Sequence, residues 1–139
     1  MHDIAFKTVL RTAGFRATPA RLTLLATLSR ARKPLSVQAL TKRLKGEHID
    51  QVTVYRTLRV FADMGIVRHV DLRHSHAHFE LTTDHHHHLV CTHCGALEDF
   101  TACHMDPLIS RILKGSKRFA GVRQHSLELF GICKKCSKI

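Results

Sequence analysis

With 139 residues, 44% of them apolar, and a formal net charge of +11 at neutral pH, the chain has the size of one domain or two small ones sharing a metal or a core, and disorder is not its default. No apolar run approaches the roughly eighteen residues of a membrane span, and Met1-His2-Asp3-Ile4 lacks the pattern of an export signal, so a cytoplasmic protein with reduced thiols is expected. The charge is uneven: residues 1–83 carry 14 Lys+Arg against 6 Asp+Glu, a net +8, and the remainder 8 against 5, a net +3. A polyanion is therefore expected to dock on the N-terminal part.

In chain order, the spacing predicts a first helix from about Ile4 to Ala13, stopped by Gly14. Thr18-Pro19 reads as a cap and first turn for a second helix that turns Leu22, Leu25, Ala26 and Leu28 inward. Pro34-Leu35-Ser36 opens a third, with Ser36 as its cap and Leu40 and Leu44 buried. Asp50 caps a fourth, from about Gln51 to Met64, with Val54, Leu58, Phe61 and Ala62 on its apolar face and Gly65 as its stop. The period then changes to two. Residues 66–72 and 77–81 read as two strands joined by a polar turn at Arg73-His74-Ser75-His76. Helices followed by a two-stranded wing describe a winged helix-turn-helix with the fourth helix as the recognition helix. Thr82-Thr83-Asp84 reads as a hinge, giving domains 1–83 and 84–139. Beyond it come a strand from His86 to Cys91, a turn at Cys94-Gly95, a strand from Ala96 to Phe100, a helix from about Pro107 to Lys117, and a last strand from Ser126 to Ile132. The fold class is α+β.

Two C-x-x-C pairs, Cys91/Cys94 and Cys133/Cys136, carry the strongest chemical signal, because four thiolates make a closed tetrahedral zinc site of the structural kind. Cys103 has no C-x-x-C partner and reads as a small packed or exposed residue. His93, inside the first pair, reads as a solvent-facing filler. Just upstream runs His85-His86-His87-His88. Alternate residues of a strand face opposite ways, so His85 and His87 can serve one metal and His86 and His88 another. A basic N-terminal half joined to such a segment suggests a DNA-binding protein controlled by metal. No H-E-x-x-H motif places a general base beside an open metal position, so the chain reads as a non-enzyme.

The pieces Arg16-Ala17-Thr18-Pro19-Ala20-Arg21, Thr53-Val54-Tyr55-Arg56-Thr57-Leu58, Phe79-Glu80-Leu81, His85 to Cys94, Gln124-His125-Ser126 and Cys133/Cys136 occur in an order that resembles the ferric uptake regulator family of metal-dependent repressors. The resemblance spans nearly the whole chain. It implies a homodimer with an N-terminal winged-helix module and a small C-terminal α/β dimerisation module, binding A·T-rich palindromic DNA operators when loaded with divalent metal. It implies a regulatory site of Glu80, His86, His88 and Asp99, and an additional site of His85, His87, Asp106 and His125. Two departures stand out. Pro34 replaces a histidine usual in iron- and peroxide-sensing members, and Thr82 stands where zinc-sensing members often have cysteine. His78 or His76, on the strand face of Glu80, can supply the missing donor. Zinc is the favoured regulatory ion, since Pro34 removes a ligand of the iron site. Iron or manganese is the alternative, and an architectural DNA-binding protein with structural zinc alone or a thiol redox switch are rivals. For DNA, Tyr55 and Arg56 lead the exposed face of the recognition helix with Gln51, Thr53 and Arg59. Arg16 resembles the residue that enters the minor groove, and Arg21 reads as a phosphate contact.

Overall fold

The computed structural model describes residues 2–73 and 76–139, and the chain divides into two compact units, Met1–Thr83 and Asp84–Ile139. The first unit opens with α1 (His2–Thr12) and α2 (Pro19–Ala31), followed by the two-residue β1 (Leu35–Ser36), α3 (Val37–Arg43) and α4 (Gln51–Asp63). It closes with β2 (Val67–Val70) and β3 (His78–Leu81). Side-chain oxygens start three of these helices by accepting orphan backbone N–H groups. Thr18 Oγ1 takes that of Arg21 (3.4 Å), Ser36 Oγ that of Ala39 (3.1 Å) and Asp50 Oδ1 that of Thr53 (2.7 Å). Glycine ends α1 and α4. At Gly14 (φ +83°) and Gly65 (φ +74°) the chain turns left-handed, and the next residue's N–H reaches back to Leu10 and Phe61 carbonyls at 2.8 and 2.9 Å.

The core of this unit is built where the apolar stripes of the helices meet the wing. Leu10, Leu25, Leu40, Leu58, Phe61 and Phe79 are all almost fully enclosed. On α2 the buried set is Leu24, Leu25, Thr27 and Leu28, with Leu22 only partly covered. This shift from the expected stripe arises because α2 packs against α1, α3 and β3 together, so its buried surface is wider than one stripe. The wing also differs from expectation. It is three-stranded, in the order β1-β3-β2, because Leu35 and Ser36 pair antiparallel with Phe79 and His78. Two residues are too few to announce a strand by alternation. Of the expected turn, Arg73 takes a left-handed φ of +56° and donates its N–H to Asp71 Oδ1 at 2.8 Å, while His74 and Ser75 lie outside the described residues.

The second unit holds β4 (His87–Cys91), β5 (Leu97–Phe100), α5 (Asp106–Gly115) and β6 (Glu128–Gly131). Its sheet runs β5-β4-β6, with β5 antiparallel and β6 parallel to the central strand. The helix starts and ends a residue or two earlier than periodicity suggested. Apolar burial here is slight. Val90 is the one aliphatic side chain fully enclosed among the described residues of this unit, and α5 buries none of its own. Among the described residues no helix is long and apolar enough to cross a membrane.

Candidate metal centres and nucleic-acid interface

The four cysteines of the C-x-x-C pairs converge. Cys91 ends β4, Cys94 follows in the adjoining turn, and Cys133 and Cys136 come just after β6, the neighbour of β4; the four sulfurs lie within 4.8 Å of one another. The Cys94 and Cys133 sulfurs are 3.8 Å apart. A tetrahedron with metal–sulfur bonds of about 2.3 Å has edges of about 3.8 Å, whereas a disulfide is about 2.05 Å. The electrostatics agree. N–H groups of Cys94 and Cys133 pointing at Cys91 hold its thiol down to about 6, while burial and the neighbouring sulfurs push Cys136 up to about 12. Four negative charges in so small a volume repel one another, and a divalent cation is what lets all four thiols ionise together. The residues present fit zinc.

The histidine run alternates as its parity demands. His85 and His87 rings meet at 4.6 Å, and His86 and His88 rings at 5.1 Å. His88 is fully enclosed (0% exposed) at the centre of the sheet, and register sets it beside Asp99 of β5 and Glu128 of β6. Its Nε2 is 3.7 Å from Asp99 Oδ1 and its Nδ1 3.8 Å from Glu128 Oε1. Glu128 was not among the expected residues, because only strand order places it next to His88. Glu80, in the first unit, is buried in the wing opposite Arg68, whose Nε donates to its carboxylate. His78 Nδ1 is 2.9 Å from the His76 carbonyl, and His76 Nδ1 is 2.9 Å from Gln38 Nε2.

The other face brings together a set that differs from the expected one by one member. His85, His87 and His125 lie with Cys103, every donor within 4.8 Å of the others. Asp106 is not in this group; it is exposed in the first turn of α5. Cys103, read from sequence as a small packed or exposed residue, takes the fourth place in this group, and sequence reasoning missed it because a lone cysteine offers no spacing to read.

In the first unit α4 turns Val54, Leu58 and Phe61 inward and leaves Gln51, Thr53, Tyr55, Arg56 and Arg59 exposed. Tyr55, 40% exposed, leans edge-on against Phe79 at 6.4 Å between ring centres. Arg16 is exposed, but Arg21 is engaged within the unit. Its guanidinium lies 5.3 Å from the Phe15 ring centre, and its Nη1 donates to the Arg16 carbonyl at 2.9 Å. Arg21 thus clamps the segment that carries Arg16.

Comparison with known proteins decides the affiliation. The sequence model of the ferric uptake regulator family matches residues 12–130. The chain belongs to the ferric uptake regulator family. Among curated relatives of this family, the peroxide-responsive repressor PerR of Staphylococcus aureus is 33% identical over 129 residues, which are 91% of this chain and 86% of the relative. Of solved structures, the Vibrio cholerae ferric uptake regulator is 33% identical with a TM-score of 0.72, over 91% of this chain and 98% of its own. The Pseudomonas aeruginosa ferric uptake regulator, determined with manganese, is 27% identical with a TM-score of 0.74, over 93% and 98%. As a ferric uptake regulator family member, the chain is a metal-responsive regulator of transcription with the winged-helix and small α/β architecture described above.

Proposed function

We propose that the chain is a cytoplasmic, homodimeric repressor that binds A·T-rich palindromic operators when its exchangeable site holds a divalent cation, with zinc as the sensed ion. The observation that carries this reading is α4, whose outer face offers Gln51, Thr53, Tyr55, Arg56 and Arg59 on the more basic of the two units. Arginine reads guanine bidentately, and threonine or tyrosine can meet a thymine methyl. The relatives named above as repressor and regulators support the same role.

The regulatory set is His86, His88 and Asp99, joined by Glu80 on the family resemblance alone. Buried His88, with a carboxylate on each side, gives the cation a polar position that apolar packing would not fill. Metal acts only if it binds the DNA-competent dimer more tightly than the other form, since a ligand indifferent to both shifts nothing. Pro34, buried and without a donor, keeps the ligand count low, which suits tetrahedral zinc. Iron or manganese is the second reading. Asp99 and Glu128 favour it, because hard oxygen donors and added coordination by His78 or water suit those ions.

Selection of binding sites from a random duplex pool, followed by titration with Zn²⁺, Fe²⁺ and Mn²⁺ in turn, tests the proposal. Specific binding should require metal and should be lost in His86→Ala and His88→Ala proteins that keep their four-cysteine zinc. Metal-independent binding by the wild type, or a normal response from His86→Ala, would overturn it.

A further inference from the structure

Resting on the reading of this chain as a metal-binding regulator, we infer that Cys103 is the fourth ligand of a metal site with His85, His87 and His125, a site of one thiolate and three imidazoles that selects Zn²⁺ over Mn²⁺ and Fe²⁺. The family resemblance puts a carboxylate, Asp106, in this place. The fold does not. Cys103 sits in the loop between β5 and α5, where its N–H bonds to the Thr101 carbonyl at 2.9 Å and the following His104 takes a left-handed φ of +44°. That turn presents its sulfur to His85 Nε2 at 3.2 Å and to His125 Nε2 at 3.6 Å. His87, 1% exposed and packed 5.4 Å from the Phe100 ring, brings its own Nε2 to 3.1 Å from that of His85.

These separations have the dimensions of a coordination shell. With metal–nitrogen bonds of about 2.05 Å and a metal–sulfur bond of about 2.3 Å, tetrahedral edges are about 3.3 Å for N···N and about 3.6 Å for N···S. The N···N separation of 3.1 Å and the N···S separations of 3.2 and 3.6 Å fall within about 0.4 Å of those edges. Each neutral imidazole carries one N–H, and a thiol is a weak donor and weak acceptor, so hydrogen bonds among these four groups satisfy the cluster poorly. One divalent cation engages all four lone pairs at once. A thiolate is a soft ligand, and a filled tetrahedron has no room for the further donors that iron and manganese favour. Replacing a carboxylate by Cys103 therefore changes which ion the site holds.

The probe is Co²⁺, a tetrahedral stand-in for zinc whose bond to sulfur absorbs in the near ultraviolet. Full-length protein is treated with a mild chelator until one zinc per chain remains in the four-cysteine site, then titrated with Co²⁺. Wild type and Asp106→Asn should both develop the thiolate-to-cobalt band, complete by two equivalents because the His86 and His88 site takes cobalt as well, with the retained zinc unchanged. Cys103→Asp should bind cobalt without that band, and Cys103→Ala should lose affinity about tenfold or more, since even outer-shell changes cost ten- to a hundredfold. In parallel, Zn²⁺ should protect Cys103 from alkylation in the wild type, read by peptide mass, and Mn²⁺ should not. A full band in Cys103→Ala, loss of the band in Asp106→Asn, or equal alkylation with and without Zn²⁺ would overturn the assignment. Failure here leaves the operator response of the His86 and His88 variants as it was, so the two readings fail separately.

Discussion

Asp50 shows how one side chain couples a helix to pH. Its carboxylate accepts the Thr53 N–H at 2.7 Å at the start of α4, and that bond holds its pKa below the ordinary 3.8. A depressed carboxylate contributes stability that is fully present above its unfolded pKa and is lost as pH falls through the folded value. Asp50→Ala should therefore melt below the wild type at neutral pH, and the gap should close as the pH drops below about 4. Thermal unfolding across that range checks it, and a gap that stays constant would remove Asp50 from the cap. At Cys91 the stake is larger, because the second unit has so little apolar core that a zinc held by the four cysteines would supply part of its folding free energy. Cys91→Ser should lose zinc and unfold residues 84–139 while the helical signal of the first unit survives. A Cys91→Ser protein that keeps both its zinc and a folded second unit would refute the four-thiolate site.

At the scale of elements, the proposed function gives α4 and the segment before α2 separable DNA roles. Arg56→Ala should weaken binding to a selected operator by about 1–3 kcal/mol while scarcely changing binding to random duplex, as expected of a side chain at base edges. For Arg21 we propose a positioning role in place of the phosphate contact that its charge suggests. Held by Phe15 and the Arg16 carbonyl, it would order the Arg16 segment for DNA. Arg21→Ala and Arg16→Ala should therefore weaken operator binding by similar amounts, and the double variant should be little worse than either. Additive losses in that cycle would restore Arg21 as an independent contact.

For the whole molecule, the face left uncovered by the second unit is the telling feature. On α5, Leu108 and Ile112 are 44% and 57% exposed, and Leu129 of β6 is 45% exposed. A helix that buries none of its side chains fully and leaves Leu108 and Ile112 exposed calls for a partner surface, and a second copy is the occupant that the proposed homodimer supplies. Ile112→Asp should give a monomer with both the four-cysteine zinc and its fold intact, and operator affinity should fall toward that of random DNA. Sedimentation together with DNA titration checks both; a dimeric Ile112→Asp protein would move the interface elsewhere.

Much of this was legible in the residues themselves. Capping by Thr18, Ser36 and Asp50, the stops at Gly14 and Gly65, the inward stripe of α4 and the two faces of the histidine run are local rules of period and hydrogen bonding, so a one-dimensional reading captures them. The paired C-x-x-C spacings are likewise local, and they name their own partners. What the sequence could not determine depends on strands and loops distant along the chain coming side by side. Pairing of Leu35 with Phe79 makes the wing three-stranded. Register of β6 against β4 sets Glu128 beside His88, forty residues away, and the turn after β5 delivers Cys103 rather than Asp106 to the three histidines. Ligand sets are chosen by such contacts, because a metal recognises only which donor atoms lie within a few ångströms of it, and tertiary structure alone decides that.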